Sequence, residues 1–75
     1  MKKLVAKYSG CKSTLGVRQA ISLFYKGKLV RSFSISGNFL NKKRHFQMLQ
    51  ESVFDYITEN DCIVTNMMDV IEVAA

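Results

Sequence analysis

The sequence predicts a small two-layer α+β domain of β-β-β-α-β order, an antiparallel three-stranded meander with one helix packed on one face and a short C-terminal strand. Two patterns carry that expectation. Three runs before Gly37 alternate apolar and polar residues, as half-buried strands do, and one run after Asn38 repeats its apolar residues about every 3.6 positions, as an amphipathic helix does. Size is the third observation. Seventy-five residues make one domain, residues 1–75, whose single core is too thin to hold a deep substrate pocket as well. With 48% of its residues apolar and no proline, the chain is a packed globule rather than a disordered tail.

The elements follow in order. From Lys2 to Tyr8, Leu4, Ala6 and Tyr8 point one way while Lys3, Val5 and Lys7 point the other, a half-buried strand. Ser9 to Gly16 is small, polar and bounded by glycines, so it reads as a loop or wide turn. Val17–Tyr25 and Leu29–Ser36 form a hairpin whose register the apolar pattern selects. A three-residue loop, Lys26-Gly27-Lys28, sets Tyr25 opposite Leu29, Leu23 opposite Arg31, Ile21 opposite Phe33 and Gln19 opposite Ile35. The other face then collects Phe24 with Val30, Ser22 with Ser32 and Ala20 with Ser34. A two-residue loop would lay Phe33 over Ala20 and Ser32 over Ile21, mixing polar and apolar on both faces, so the three-residue loop is expected.

Ser36-Gly37-Asn38 ends the third strand, and Asn38 or Asn41 caps the helix. Phe46, Leu49, Val53 and Ile57, with Tyr56 beside them, form the stripe that packs on the sheet, and Glu51, Asp55 and Glu59 line the far side. Asn60-Asp61 closes the helix. Cys62–Thr65 is a short β-type run, and Asn66–Ala75 is open between a second short strand and a final helical turn or two, with Met67-Met68 placed in the core.

The net charge of +5 understates an asymmetry. All eleven Lys and Arg lie between Lys2 and Arg44, and all six acids lie between Glu51 and Glu72. Segregation of this kind speaks of partners and association, not of fold. The two cysteines, Cys11 and Cys62, have no CxxC spacing and only His45 to join them, so they read as free thiols in a reducing compartment and no metal site is expected. Lys7 interrupts the apolar run of Leu4, Val5 and Ala6, which removes a signal-peptide core, and no stretch approaches the ~20 apolar residues of a membrane span. A cytoplasmic protein without a membrane partner is expected.

Two features point to binding. Lys42, Lys43 and Arg44 occupy the first helical turn, where free backbone N–H groups already make the environment positive and acids are the rule. Such a turn suits a phosphate or carboxylate, although a solvated lysine-rich turn reads the same way. The second feature is the sheet face turned away from the helix. If Leu4, Ile21, Leu23, Phe33 and Ile35 pack under the helix, the other face shows Lys3, Lys7, Arg18, Phe24 and three serines, Ser22, Ser32 and Ser34. Single-strand nucleic-acid platforms need several exposed aromatics for stacking, and Phe24 is alone. Phosphate contact without base readout, or docking of an acidic protein surface, suits this face better. No catalytic group emerges. Glu51, Asp55 and Glu59 form an outward solvated stripe, His45 lacks a partner at a recognisable spacing, and Ser13-Thr14 lacks a phosphate-loop frame.

The order strand, loop, strand, hairpin, strand, helix, strand resembles the first half of a ribonuclease H-like domain. Tyr8-Ser9-Gly10 stands where that family has Tyr-Thr-Asp-Gly, the hairpin runs through Lys26-Gly27, the helix starts near Arg44, and Ile63-Val64-Thr65-Asn66 stands where the family has Ser-Thr-Asp. The resemblance spans Leu4 to about Val70 and implies two metal ions held by acids on strand one, the helix and strand four. The corresponding residues are Ser9, Gln47 or Gln50, and Asn66, all neutral, and the second half of that domain has no counterpart in the chain. The resemblance therefore implies a binding scaffold without metal chemistry.

These readings converge on a non-catalytic interaction protein that takes no cofactor and docks through its basic surface on an acidic partner protein. Phage- and plasmid-encoded inhibitors or modulators are small modules of this kind. The alternative is non-sequence-specific nucleic-acid binding through the same cations. A chain this small also leaves room for help from a homodimer.

Overall fold

A computed structural model describes all residues, Met1 to Ala75. The predicted α+β architecture is present: three antiparallel strands, β1 (Lys2–Ser13), β2 (Gly16–Tyr25) and β3 (Lys28–Gly37), lead through a 3-10 turn (Phe39–Asn41) into α1 (Lys42–Glu59). A short strand, β4 (Cys62–Val64), and a second helix, α2 (Met67–Ala74), complete the chain. Strand order is β3-β2-β1-β4, with β4 parallel to β1 and the rest antiparallel.

The expected loop at Ser9–Gly16 is instead the end of a long hairpin. β1 continues to Ser13, with Ser9 opposite Ala20, Cys11 opposite Arg18 and Ser13 opposite Gly16. Pairing with β2 holds these small polar residues extended where their own preferences favour a turn. The turn itself shrinks to Thr14-Leu15, where the Leu15 N–H donates to Ser13 Oγ at 3.2 Å.

The second hairpin departs from expectation at its tip. Its loop is two residues, Lys26 (φ 50°) and Gly27 (φ 81°), the paired positive φ values that match the twist of the flanking strands. Tyr25 therefore faces Lys28 and Phe24 faces Leu29, not Val30. A bulge then places one extra residue on β3, and from Leu23–Arg31 onward the pairing is the expected one: Ser22–Ser32, Ile21–Phe33, Ala20–Ser34 and Gln19–Ile35. The apolar pattern set the register of the body; turn geometry set the tip, and Val30 absorbs the mismatch between them.

One face of the sheet is buried. Leu4, Ala6, Ile21 and Leu23 meet Leu49 and Val53 from α1, Cys62 from β4 and Val70 from α2 in one core, flanked by Tyr8, Phe33, Phe46, Tyr56 and Ile57. The helical stripe and the outward acids Glu51, Asp55 and Glu59 stand where the periodicity put them. Neither candidate caps α1 through its side chain: Asn38 caps the 3-10 turn, its Oδ1 accepting from the Leu40 N–H at 2.9 Å, and Asn41, at the cap position of α1, makes no side-chain cap. At the other end Asn60 donates to the Tyr56 carbonyl through both its backbone N–H and Nδ2, and Asp61 (φ 53°) turns the chain left-handed into β4.

Residues 67–74 are helical, which resolves the open C-terminal segment. Asn66 ends the β-run: its Oδ1 accepts from the Ala6 N–H (2.8 Å) and its Nδ2 donates to the Ala6 carbonyl (2.7 Å), so a side-chain amide replaces the next peptide of the ladder. Released from pairing, the chain turns into α2 and buries Val70 and Ala74. Met67 packs against the core, but Met68 is 76% exposed, which corrects its placement in the core. No helix is long and apolar enough to cross a membrane.

Candidate functional site

The second sheet face carries no helix. Alternation and register lay out its cross-strand rows: Val5, Phe24 and Leu29 near the β2–β3 turn, then Lys7, Ser22 and Ser32, then Ser9, Ala20 and Ser34, then Cys11, Arg18 and Ser36. Lys3 stands beside Ile63 at the β4 side. Four of the predicted site residues, Lys3, Lys7, Arg18 and Phe24, thus share one surface. Side chains in the middle rows are short, which makes that surface flat, and the Ser22 and Ser32 hydroxyls meet at 3.3 Å. The Lys7 ammonium lies 5.1 Å from the Phe24 ring centroid, so the one aromatic is already covered by a cation.

The remaining predicted residues, Lys42, Lys43 and Arg44, lie in the other layer, at the start of α1. Lys43 and Arg44 are exposed and Lys42 is half-buried, with no acid in the first turn. The sequence offers these residues as two features, the helix start and the open sheet face, and the fold keeps them in separate layers. It also adds Lys12, whose ammonium lies 4.2 Å from the Phe39 ring at the helix start. Continuing the β1 alternation past Tyr8 puts Lys12 on the helix side; reading Ser9–Gly16 as a loop hid that signal.

Beneath the helix start is a buried polar contact: the alternation put Gln19 on the inner face but did not show its partners. Gln19, 1% exposed, accepts from the Tyr8 hydroxyl (2.7 Å) and donates through Nε2 to the Lys42 carbonyl (3.0 Å), tying β1, β2 and α1 together. The Tyr8 ring meets Phe46 edge-on at 5.5 Å. Burial pushes the Tyr8 hydroxyl above its ordinary value near 10, because the phenolate would have to lose water. No buried side-chain nitrogen or oxygen lacks a partner.

The charge segregation of the sequence becomes a segregation of layers. No strand contains an acid: Glu51, Asp55 and Glu59 are in α1, Asp69 and Glu72 in α2, and Asp61 in the turn before β4. The strands carry seven cations, Lys2, Lys3, Lys7, Lys12, Arg18, Lys28 and Arg31. Among the positions that the ribonuclease H-like resemblance singles out, Ser9 is on the open face, Gln47 and Gln50 line a cleft between α1 and α2, and the Asn66 amide is held by Ala6. No three His, Cys, Asp or Glu side chains gather where they would hold a metal ion. No protein-family model, no curated protein and no solved structure matches the chain.

Proposed function

We propose that this chain is a non-catalytic interaction protein that docks the open face of its sheet, through Lys3, Lys7 and Arg18, on an acidic surface of a partner protein. The observation that carries this reading is the absence of any acid from the strands: Asp69 of α2 lines a cleft with Lys7, but no strand supplies an acid to these cations, and the serines of the face admit a flat partner. The cation over Phe24 favours a protein surface over stacked bases, since a base would have to displace Lys7. An apolar row of Val5, Phe24 and Leu29 beside the cations supplies the desolvated centre that protein interfaces use. Inhibitors and modulators encoded by phages or plasmids work this way, and two unpaired cysteines suit the cytoplasm of a host cell. A ribonuclease H-like kinship would fit this reading, since Ser9, Gln47 or Gln50, and Asn66 are neutral where that family holds metal ions, which would leave a binding scaffold.

The test is capture from host lysate, with and without nuclease, by three proteins: the wild type, a Lys3→Glu/Lys7→Glu/Arg18→Glu variant and a Lys42→Glu/Lys43→Glu/Arg44→Glu variant. The expected result is a nuclease-resistant, salt-sensitive protein partner that the sheet variant loses and the helix-start variant keeps. The helix-start variant should also melt higher, since acids in the first turn suit the dipole by ~0.3–1 kcal/mol each. A partner abolished by nuclease supports nucleic-acid binding and overturns the proposal, as does a protein partner that the sheet variant retains.

A further inference from the structure

We infer that the free edge of β3 pairs antiparallel with β3 of a second copy, joining two sheets into one of eight strands. The two sheet edges are unequal. On one edge β4 pairs with Lys2–Leu4, the Asn66 side chain takes up Ala6, α2 packs against β1 and the unpaired end of β1 carries Lys12, whereas β3 leaves ten residues paired on one side only, with the N–H and C=O groups of alternate residues pointing outward. Proteins blunt such edges with bulges and charges. Here the bulge at Val30 and the charges Lys28 and Arg31 blunt the turn half only. From Ser32 to Gly37 the edge is uncharged and regular.

That stretch complements itself. A two-fold axis at Ser34 sets Ser34 opposite its own copy, Phe33 opposite Ile35, Ser32 opposite Ser36 and Arg31 opposite Gly37. Every residue keeps its face, the half-buried Phe33 and Ile35 cover one another twice on the helix side, and no cation meets a cation.

The helices choose a second copy over a foreign strand. His45 lies against Gly37 and the Tyr56 ring stands 6.1 Å from Phe33, so α1 runs antiparallel to β3. Arg44, next to His45, marks the Gly37 end, while Asp55 and Glu59, beside Tyr56, mark the Arg31 end, and all three are exposed. Antiparallel pairing brings the Gly37 end of one copy to the Arg31 end of the other. The basic start of each α1 then approaches the acidic end of its partner.

This inference goes beyond the docking reading and does not depend on it, because its readout is mass and not partner binding. Sedimentation equilibrium of the full chain from micromolar to millimolar concentration is the experiment, with far-UV circular dichroism as the check on folding. The wild type should dimerise within that range. Ser34→Lys, which places two lysines face to face on exposed positions, should raise the dimer dissociation constant roughly fivefold or more. Arg44→Glu and Glu59→Lys should each weaken the dimer, and the two combined should restore it. Should Ser34→Lys misfold, Ser36→Lys replaces it, its lysine facing Ser32 of the other copy. A wild type that stays monomeric, or a folded edge variant that dimerises as well as the wild type, overturns the inference.

Discussion

Replacing Gln19 by Met removes the one buried polar side chain of the core at nearly constant volume. Its amide makes two hydrogen bonds, to the Tyr8 hydroxyl and the Lys42 carbonyl, each worth about 1 kcal/mol net. Tyr8 is half-buried, so its hydroxyl recovers part of its loss from water, whereas the Lys42 carbonyl loses a donor that reaches it from the core side. Removing the Gln amide also removes its own desolvation, which offsets part of the cost. The balance is a destabilisation of about 1–2 kcal/mol, or a melting temperature lower by roughly 4–15 °C in a domain of this size. Urea and thermal unfolding measure it. Tyr8→Phe should cost about 1 kcal/mol because it strands Gln19 Oε1, and the double variant should cost less than the sum of the two by about 1 kcal/mol.

The same pair sets a pH dependence. Burial raises the folded-state pKa of Tyr8, so its contribution is complete below the unfolded value near 10 and is lost as pH rises through the higher folded value. Stability should fall above pH ~10, and less steeply in Tyr8→Phe. Additive costs in the double-mutant cycle, or a Gln19→Met protein as stable as the wild type, would refute the argument that this contact locks α1 to the sheet.

Two further substitutions probe how the chain closes. Asn66→Asp keeps an acceptor for the Ala6 N–H but turns a carboxylate oxygen toward the Ala6 carbonyl; it should cost about 1–3 kcal/mol at neutral pH and recover as acid protonates that oxygen, measured as melting temperature against pH. A Cβ on Gly37 would overlap the His45 ring, so Gly37→Ala should cost about 1–3 kcal/mol, and the loss should largely vanish in a His45→Ala background.

Several parts of this fold were legible because they depend on side-chain periodicity alone. Leu4, Ile21, Leu23, Leu49 and Val53 announced the core, and the body of the β2–β3 register followed from keeping Ile21 with Phe33 on one face. The tip did not follow, because a two-residue turn with a bulge and a three-residue loop give the same register beyond it. Ser9–Ser13 misled for a related reason: small polar residues favour turns locally, and only β2 alongside makes them a strand. For the candidate site, alternation and helical position already divided the residues between a helix start, Lys42–Arg44, and a sheet face, Lys3, Lys7 and Arg18. Lys12 beside Phe39 was missed, because its placement depends on β2 holding Ser9–Ser13 extended.

What the sequence by itself determined is the fold class, the apolar stripe of α1 and the sign of each part of the chain, since composition and period survive any arrangement of elements. Tertiary structure alone decided that β4 lies parallel beside β1, that Asn66 ends the sheet in place of a peptide, and that Gln19 bonds the Tyr8 hydroxyl and the Lys42 carbonyl. Those outcomes rest on contacts between residues as much as sixty positions apart, Ala6 with Asn66, where no local pattern operates. They also made the charge asymmetry spatial. A basic first part and an acidic last part became a cationic sheet beneath a largely acidic helical layer, because the strands come first in the chain and the helices last.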